Sequence, residues 1–393
     1  MTPYLDPVRL AKTAARRALH ALEDITSVRP GNTGPVRWID AEPSGWAPCT
    51  GSHAPTRDQD PIRWDERHSI GLAGVCHVER ADVFMLKPSG AGRHPLDRRA
   101  AVCVHPSRRV KYPGALYLSS RQIRSLFQKT RQLPNRSHHL EGRVALLGNE
   151  VSDACNYYHF WLDTVGDLLM LRDTLPSSLQ PDRFLVSHAG EPWQEEILDR
   201  VGIAPEQVVR YADHERLTAD ELLVPLRDKG AVGVAPGLVD RIRHKVNIHI
   251  DAPVAARSLY ISRGDSSRRT VTNEAEVRDL VRGHGIDVAE LSRMRVADQI
   301  DLFASARLVV ATHGAGLTNL MWCQEGATVI ELLPDRHRNP CFRDICAQRK
   351  LRHDAILCPQ LGATTGLNAT MTVPLGLLDA MLSYYGSHDP LWG

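Results

Sequence analysis

"RLVVATHGAGLTNLMWCQEGATVIELLPD", residues 307–335, decides the fold class of the chain. An apolar run from Leu308 to Ala311 and a second from Thr328 to Leu332 have the length of buried strands. Between them stand a glycine-bearing turn, His313-Gly314-Ala315-Gly316, and a short helical segment. Strands that are apolar on both faces and joined through a helix belong to a parallel sheet covered on both sides. The turn falls at the carboxyl end of the first strand, where open α/β sheets take their ligands. Its glycines allow close backbone approach and positive φ. A helix starting there aims free N–H groups and a partial positive charge at the crevice, which suits a phosphate. The turn is not G-x-G-x-x-G, because Leu317, Thr318 and Asn319 follow Gly316, so a nicotinamide fingerprint is not supported.

The same alternation extends upstream. "SLYISR" (258–263), "IDVAEL" (286–291) and "RLVVA" read as strands, and "NEAEVRDLVRGHG" (273–285) and "VADQIDLFASA" (296–306) as helices. Asn273 is placed to cap the first of these helices, Glu276 takes its capping-box position, and Gly283 or Gly285 follows its end. In the second helix Ile300, Phe303 and Ala304 share a face. Strand-helix-strand repeated in this way implies a doubly wound sheet. Before it, "RVALLGNE", "NYYHFWLDTVGDLLMLRDTL", "RFLVSH", "PWQEEILDRVG" and "ELLVPL" alternate strand and helix between residues 143 and 226. Partly alternating runs from 74 to 119 suggest a small β-rich region. A chain of 393 residues is too long for one ordinary core. The expected organisation is an irregular or helical extension over 1–70, an α/β domain over 71–235, a Rossmann-like domain over 236–375, and a helix over 376–393 packing back on the N-terminal domain.

Hydrophobic content of 42% and charged content of 24% are those of a globular protein, and a net charge of +2 with dispersed basic residues does not indicate a nucleic-acid partner. No window of 18 apolar residues is present, and "MTPYLDPVRLAKTAARRALHALED" does not read as a secretory signal, so a cytoplasmic protein is expected. Val8 to Leu22 form a basic amphipathic pattern, read as a surface helix, with peripheral contact at the inner face of a membrane as the alternative. Eight cysteines without a C-x-x-C pair are expected to be reduced, buried thiols.

The chemistry-bearing residues fall into two groups. Arg263 follows a strand directly, and Arg268 and Arg269 come five and six residues later. Three guanidiniums in a loop at the ligand edge of the sheet suit a diphosphate, although a solvated arginine loop is the competing reading. Glu331 ends the strand after the turn, where it either accepts hydrogen bonds from ribose hydroxyls or faces solvent. With His313, Gly314, Ala315, Gly316 and Asn319, these residues describe a site for a nucleoside diphosphate. The second group is His159 and Asp163, four apart and so on one helix face. An aspartate that orients a histidine yields a general base, while a buried structural pair is the alternative. Asn156 and Tyr158 flank it as candidate substrate contacts.

The blocks "NYYHFWLD", "LYISR", "DQIDLFASARLVVATHGAGLTNLMWC" and "TVIEL" resemble glycosyltransferase family 61 in spaced segments from about 144 to 335. The resemblance implies a GT-B architecture, with two Rossmann-like domains and parallel sheets facing a central cleft. It also implies inverting transfer from a nucleotide sugar, commonly a UDP-sugar, to a glycan hydroxyl in capsular or other surface polysaccharide assembly. The expected partners are then a UDP-sugar donor and an oligosaccharide or polysaccharide acceptor, with no separate cofactor. "DQD" at 58–60 has the spelling of a D-x-D metal site but lies in the irregular extension, and no essential metal is expected. A non-catalytic nucleotide- or glycan-binding subunit, or less readily a nucleotide-sugar epimerase or dehydrogenase, stands as the alternative.

Overall fold

The computed structural model describes residues 36–41, 73–86, 99–104, 109–111, 137–148, 156–210, 213–227, 233–247, 257–264, 269–362 and 369–388. The amphipathic pattern at 8–22, "DQD" at 58–60, the run at 114–119 and Arg268 lie outside the described residues. The chain divides into two compact units, the first holding the described residues up to 227 and the second those from 233 onward.

The first unit is built on one sheet of β1 (Val36–Asp40), β2 (Ala73–Leu86), β3 (Arg99–Val104), β4 (Arg109–Lys111), β5 (His138–Leu147), β6 (Arg183–Val186), β7 (Val208–Arg210) and β8 (Arg216–Arg227). The order is β4-β3-β2-β8-β5-β6-β7, with β1 also paired to β2. Parallel pairing is confined to β8-β5-β6-β7, and β2 pairs antiparallel with β1, β3 and β8. The expectation of a parallel doubly wound sheet in this half is therefore met only in part. β5, β6 and β7, which do pair in parallel, are linked through helices, the connection that parallel neighbours need. Val36–Asp40, expected within an irregular extension, is a strand in register with Gly74 to Val78. On one face of this sheet Val78, Val83, Leu146, Leu185, Leu222 and Val224 pack together, and Ala145, Leu147 and Leu223, which alternate with them, are buried as well.

The helix that follows β5 is not regular. It starts as an α-helical turn at Tyr157–His159, widens to a π-helix at Phe160–Val165, and returns to α-helix at Gly166–Thr174; together these are α1. α2 (Pro192–Arg200) then separates β6 from β7, with proline in its first turn and a capping box closed by Gln194.

The second unit carries five parallel strands, β9 (Arg257–Ile261), β11 (Asp287–Ala289), β12 (Ala306–Thr312), β13 (Thr328–Pro334) and β14 (Arg352–Cys358), in the order β11-β9-β12-β13-β14. A small second sheet joins β10 (Thr270–Val271), β15 (Gln360–Leu361) and β16 (Thr370–Met371). The helices are α3 (Leu238–Val246), α4 (Glu274–Gly283), α5 (Val296–Ala304), α6 (Cys341–Gln348) and α7 (Leu375–His388). From β9 the chain steps outward to β11, then returns past β9 to β12 and continues the other way. The strand order thus reverses between β9 and β12, the place where doubly wound sheets open a crevice at their carboxyl edge. Leu308, Val310, Ile330 and Leu332 fill one side of the sheet with residues of α4 and α7. Leu378, Leu382 and Tyr385 of the C-terminal helix α7 are seated in this core. Ile300, Phe303 and Ala304 of α5 are buried, as their spacing predicts. Cys76, Cys323, Cys341, Cys346 and Cys358 are free, buried thiols.

Asn273 stands at the N-terminus of α4, but its side chain makes no capping hydrogen bond. It is turned to the segment after β16, where Nδ2 donates to Val373 O at 2.9 Å and Oδ1 accepts from Val373 N at 2.9 Å. A backbone amide leaves both its groups open at that point, and a side-chain amide satisfies the pair better than a cap satisfies one donor. Gly285, at φ 70°, is the glycine that ends α4. Asn273→Ser, which keeps good capping chemistry, is expected to lower unfolding free energy by about 1–3 kcal/mol, as much as Asn273→Ala. A denaturant melt in which serine restores wild-type stability would mean that capping dominates after all.

Candidate functional site

In the second unit, β9 and β12 deliver Arg263 and Gly314 to the point where the strand order reverses. A Cβ added at Gly314 would fall on Arg263 Nη1, 3.2 Å from Arg263 Cζ and 3.5 Å from Arg269 Nη2. The two guanidiniums therefore converge on the one residue that lacks a side chain. Gly314 has extended backbone, φ 169°, so close approach and not a left-handed conformation is what selects glycine here. Gly316 serves packing in the same way, since a Cβ would lie 3.0 Å from Leu291 Cδ1. Arg269 is 8% exposed and has φ 51°, which sets it apart from a solvated arginine loop. The loop bearing Arg263 is tied down from below. Ser262 Oγ donates to Glu274 Oε1 at 2.6 Å, Tyr260 donates to Glu274 Oε2 at 2.7 Å, Arg278 donates to Ser262 Oγ at 2.7 Å, and Gly264 N donates to Ser262 Oγ at 3.1 Å.

The helical segment expected after Gly314 is present as a 3-10 helix, Ala315–Trp322. Leu317 N bonds back to Gly314 O at 2.9 Å, which leaves the N–H groups of half-buried Ala315 and Gly316 at the opening of the helix. Two arginines close its far end: Arg243 donates to Met321 O at 2.6 Å and Arg349 to Cys323 O at 3.1 Å. Asn319, expected to touch a nucleotide, is fully buried. Its Nδ2 donates to Gln299 Oε1 at 2.8 Å and Gly316 O at 3.2 Å, and its Oδ1 accepts from Trp322 Nε1 at 3.1 Å. It shapes the turn from within.

Glu331 also departs from expectation. It has no exposure, so it offers nothing to a ribose hydroxyl. One oxygen accepts from His313 Nδ1 at 2.5 Å and the other from His353 Nε2 at 2.9 Å. Burial pushes this carboxyl up, but the hydrogen bonds from His313 and His353 outweigh it and hold it at about 2. Below it the Cys346 thiol is pushed well up, by burial first and by Glu331 second. The His313 ring is boxed by His337 at 5.2 Å and Phe342 at 4.9 Å between centroids.

In the first unit the side chain of Asn156 caps α1, accepting from Tyr158 N at 3.0 Å and His159 N at 3.3 Å. Tyr158 is 5% exposed and lies edge-on to the His159 ring. Both were expected to meet substrate; in the structure Asn156 caps the turn that bears His159, and Tyr158 packs on its ring. His159 Nδ1 donates to Asp163 Oδ2 at 2.6 Å. Behind the pair lies Arg227, 2% exposed, from the end of β8. Its Nε donates to Asp167 Oδ1 at 2.7 Å, and its Nη2 donates to Leu162 O and, at 3.3 Å, to Asp163 O. Asp163 Oδ1 lies 3.9 Å from the same nitrogen, and the other oxygen of Asp167 accepts from Gly148 N at 3.0 Å. The π-helical stretch is the counterpart of this clamp: carbonyls there face a guanidinium. Gly166 makes room for it, because a Cβ would come 2.9 Å from Arg227 Cζ.

The family model for Glycosyltransferase 61 matches residues 157–330. Over those residues the chain is similar to a glycosyltransferase 61 domain. Over 124 residues, 30% of the chain, it is 28% identical to the β-1,2-xylosyltransferase RCN11 of Oryza sativa subsp. japonica, and the match spans 22% of that protein. His159, Asp163, Arg227, Arg263, Arg269 and His313 lie inside the glycosyltransferase 61 match, while Glu331 and His353 lie beyond its end. Among the described residues no group of three His, Cys, Asp or Glu side chains is placed to hold a metal ion, and no helix is long and apolar enough to cross a membrane. Sequence reasoning missed Arg227 and His353. Arg227 carries a weak signal, an arginine ending the apolar run "ELLVPL"; for His353 the signal is its place two residues before Ala355, the parallel neighbour of Glu331.

Arg227→Leu is expected to cost about 3–5 kcal/mol, because it strands the Asp163 and Asp167 carboxylates in the core. A denaturant melt within 1 kcal/mol of wild type would refute the clamp. For Glu331 the sign follows from a folded pKa of about 2 below the ordinary 4.5. Its contribution is complete above about pH 4.5 and lost as pH falls toward 2. The stability gap between wild type and Glu331→Gln should therefore narrow across that window, and a gap independent of pH in acid melts would contradict the ionised, doubly hydrogen-bonded carboxylate.

Proposed function

We propose that the chain is an inverting, GT-B-type glycosyltransferase whose second unit binds a UDP-sugar and whose first unit activates an acceptor hydroxyl. The observation that carries this reading is the convergence of Arg263 and Arg269 on Gly314 at the strand-order reversal. Two guanidiniums, the Ala315 and Gly316 N–H groups and the His313 imidazole together match the charge and the acceptor oxygens of a diphosphate. The glycosyltransferase 61 match supports the reaction class.

The first unit supplies the complementary chemistry. Asp163 accepts from Nδ1 of His159, so a neutral ring presents its lone pair at Nε2. That nitrogen takes the proton of an acceptor hydroxyl as the oxygen attacks the anomeric carbon. The bond from that carbon to the diphosphate breaks on the opposite face, and configuration inverts. Negative charge collects on the departing diphosphate, where Arg263, Arg269 and the N–H groups stabilise it as preorganised donors stabilise an oxyanion. The acceptor is proposed to be an oligosaccharide or polysaccharide of a surface or capsular glycan, met on the cytoplasmic side of a membrane. The name of the rice relative places UDP-xylose beside UDP-hexoses in the first donor panel.

Thermal shift against that panel identifies the donor, since a ligand that binds the native state alone stabilises it by mass action. Arg263→Ala is expected to weaken UDP binding by about 1–3 kcal/mol, while His159→Ala lowers kcat by roughly 10²–10⁴-fold and leaves UDP affinity nearly unchanged. Unchanged UDP affinity in folded Arg263→Ala removes the diphosphate assignment. A near-wild-type rate in His159→Ala with Asp163→Asn inactive moves the base to Asp163, and near-wild-type rates in both return the pair to a structural role.

A further inference from the structure

We infer that Ser262 is a positioning residue for donor binding: its buried hydroxyl sets the direction in which Arg263 leaves the end of β9, and so holds that guanidinium against Gly314. The inference rests on the proposed diphosphate site of the second unit.

The alternation of side chains along β9 separates anchor from ligand group. Tyr260 and Ser262 both reach Glu274 of α4, Tyr260 Oη donating to Oε2 at 2.7 Å and Ser262 Oγ to Oε1 at 2.6 Å. Ile261 and Arg263 point the other way, toward the turn after β12. Ile261 Cγ2 lies 3.9 Å from the place that a Cβ on Gly316 would take, and Arg263 Nη1 occupies the place of a Cβ on Gly314. A residue turned inward thus stands directly before the one turned to the proposed ligand.

The Ser262 hydroxyl has no freedom left. A serine offers one proton and two lone pairs. Gly264 N at 3.1 Å and Arg278 Nη2 at 2.7 Å can only donate, so they take the lone pairs, and the proton is left for Glu274. The bond from Gly264 N closes a turn over Arg263. Ser262 N also donates to Ala289 O at the end of β11, at 2.9 Å. One residue therefore fixes the backbone on both sides of Arg263. Gly264 permits the close turn, since a Cβ there would lie 3.2 Å from Arg278 Nη2 and 3.3 Å from Glu290 Oε1. Arg278 is itself held, Nε donating to Glu274 Oε1 at 3.3 Å and Nη2 donating to Glu290 Oε1.

Without the hydroxyl, Gly264 N loses its acceptor and the strand end loses its bond to α4. The Arg263 side chain then starts from a backbone that is no longer fixed, and a guanidinium aimed in advance at a diphosphate must be ordered when the ligand binds. Ser262, 3% exposed, acts on the ligand only through Arg263.

A double-mutant cycle on the full chain, with UDP affinity measured by calorimetry, separates this role from a general loss of stability. Ser262→Ala is expected to weaken UDP binding on the order of tenfold, the scale of one misplaced charge-assisted hydrogen bond. In an Arg263→Ala background the same substitution should change UDP affinity by less than about twofold, because the group it positions is gone. Wild-type UDP affinity in Ser262→Ala, or equal losses in both backgrounds, overturns the positioning role and leaves the diphosphate site standing. Should Ser262→Ala fail to melt cooperatively, Arg278→Leu, which removes one donor to the same hydroxyl from a side chain 26% exposed, is read in the same cycle. Its loss should likewise vanish in the Arg263→Ala background, and equal losses in both again overturn the role. Unchanged UDP affinity in Arg263→Ala, or no UDP binding by wild type, removes the diphosphate site itself, and the inference with it.

Discussion

A carboxylate inside a protein core must be met by donors on every oxygen, and each unit of this chain is organised around that requirement. In the first, Asp163 and Asp167 share the Arg227 guanidinium. In the second, Glu331 is shared between His313 and His353. Such an arrangement adds little net stability compared with a well-packed apolar one, and its use is geometric. Both carboxylates hold a histidine by Nδ1, and in both cases the ring is turned by a group that itself cannot move.

The π-helical stretch of α1 shows what this fixing requires locally. There the carbonyls of Leu162 and Asp163 accept from Arg227, which also holds Asp167. The Arg227 guanidinium fits against the helix because residue 166 is glycine, and Asp167 ties that guanidinium to Gly148 just past the end of β5. His159 is therefore positioned by strands β5 and β8 through one side chain, and by its own helix only in part. A similar economy appears at Gly314, where a missing methyl group lets two cations share a place that any other residue would fill.

The parts legible in the sequence are those with short-range pattern. Leu308 to Ala311 and Thr328 to Leu332 announce parallel strands, and their turn falls at the strand-order reversal. The spacing of His159 and Asp163 places them on one face, and Arg263 follows its strand directly. What the sequence hides depends on partners distant in the chain. Asn273 looks like a cap because the orphan groups of Val373 are a hundred residues away. Asn319 looks like a ligand contact because Gln299 and Trp322 are invisible as its partners. Glu331 looks exposed at a strand end until His353 of the neighbouring strand is seen beside it. Polar residues in a Gly-rich turn read as functional by default; here several of them are the interior bonding that gives the turn its shape.

The two histidines show why local geometry alone does not assign a role. Each donates from Nδ1 to a buried carboxylate, so each neutral ring has the same Nε2 lone pair. What differs is the charge of the group that the proposed reaction brings to that nitrogen. A hydroxyl arrives with a proton to give, and the lone pair can take it, so His159 is useful neutral. A diphosphate arrives with lone pairs and negative charge, so beside His313 the proposed ligand calls for N–H donors such as those of Arg263 and Arg269. The same pairing of imidazole and buried carboxylate is thus compatible with two different tasks, and the deciding variable is the polarity of the ligand that each site is proposed to meet.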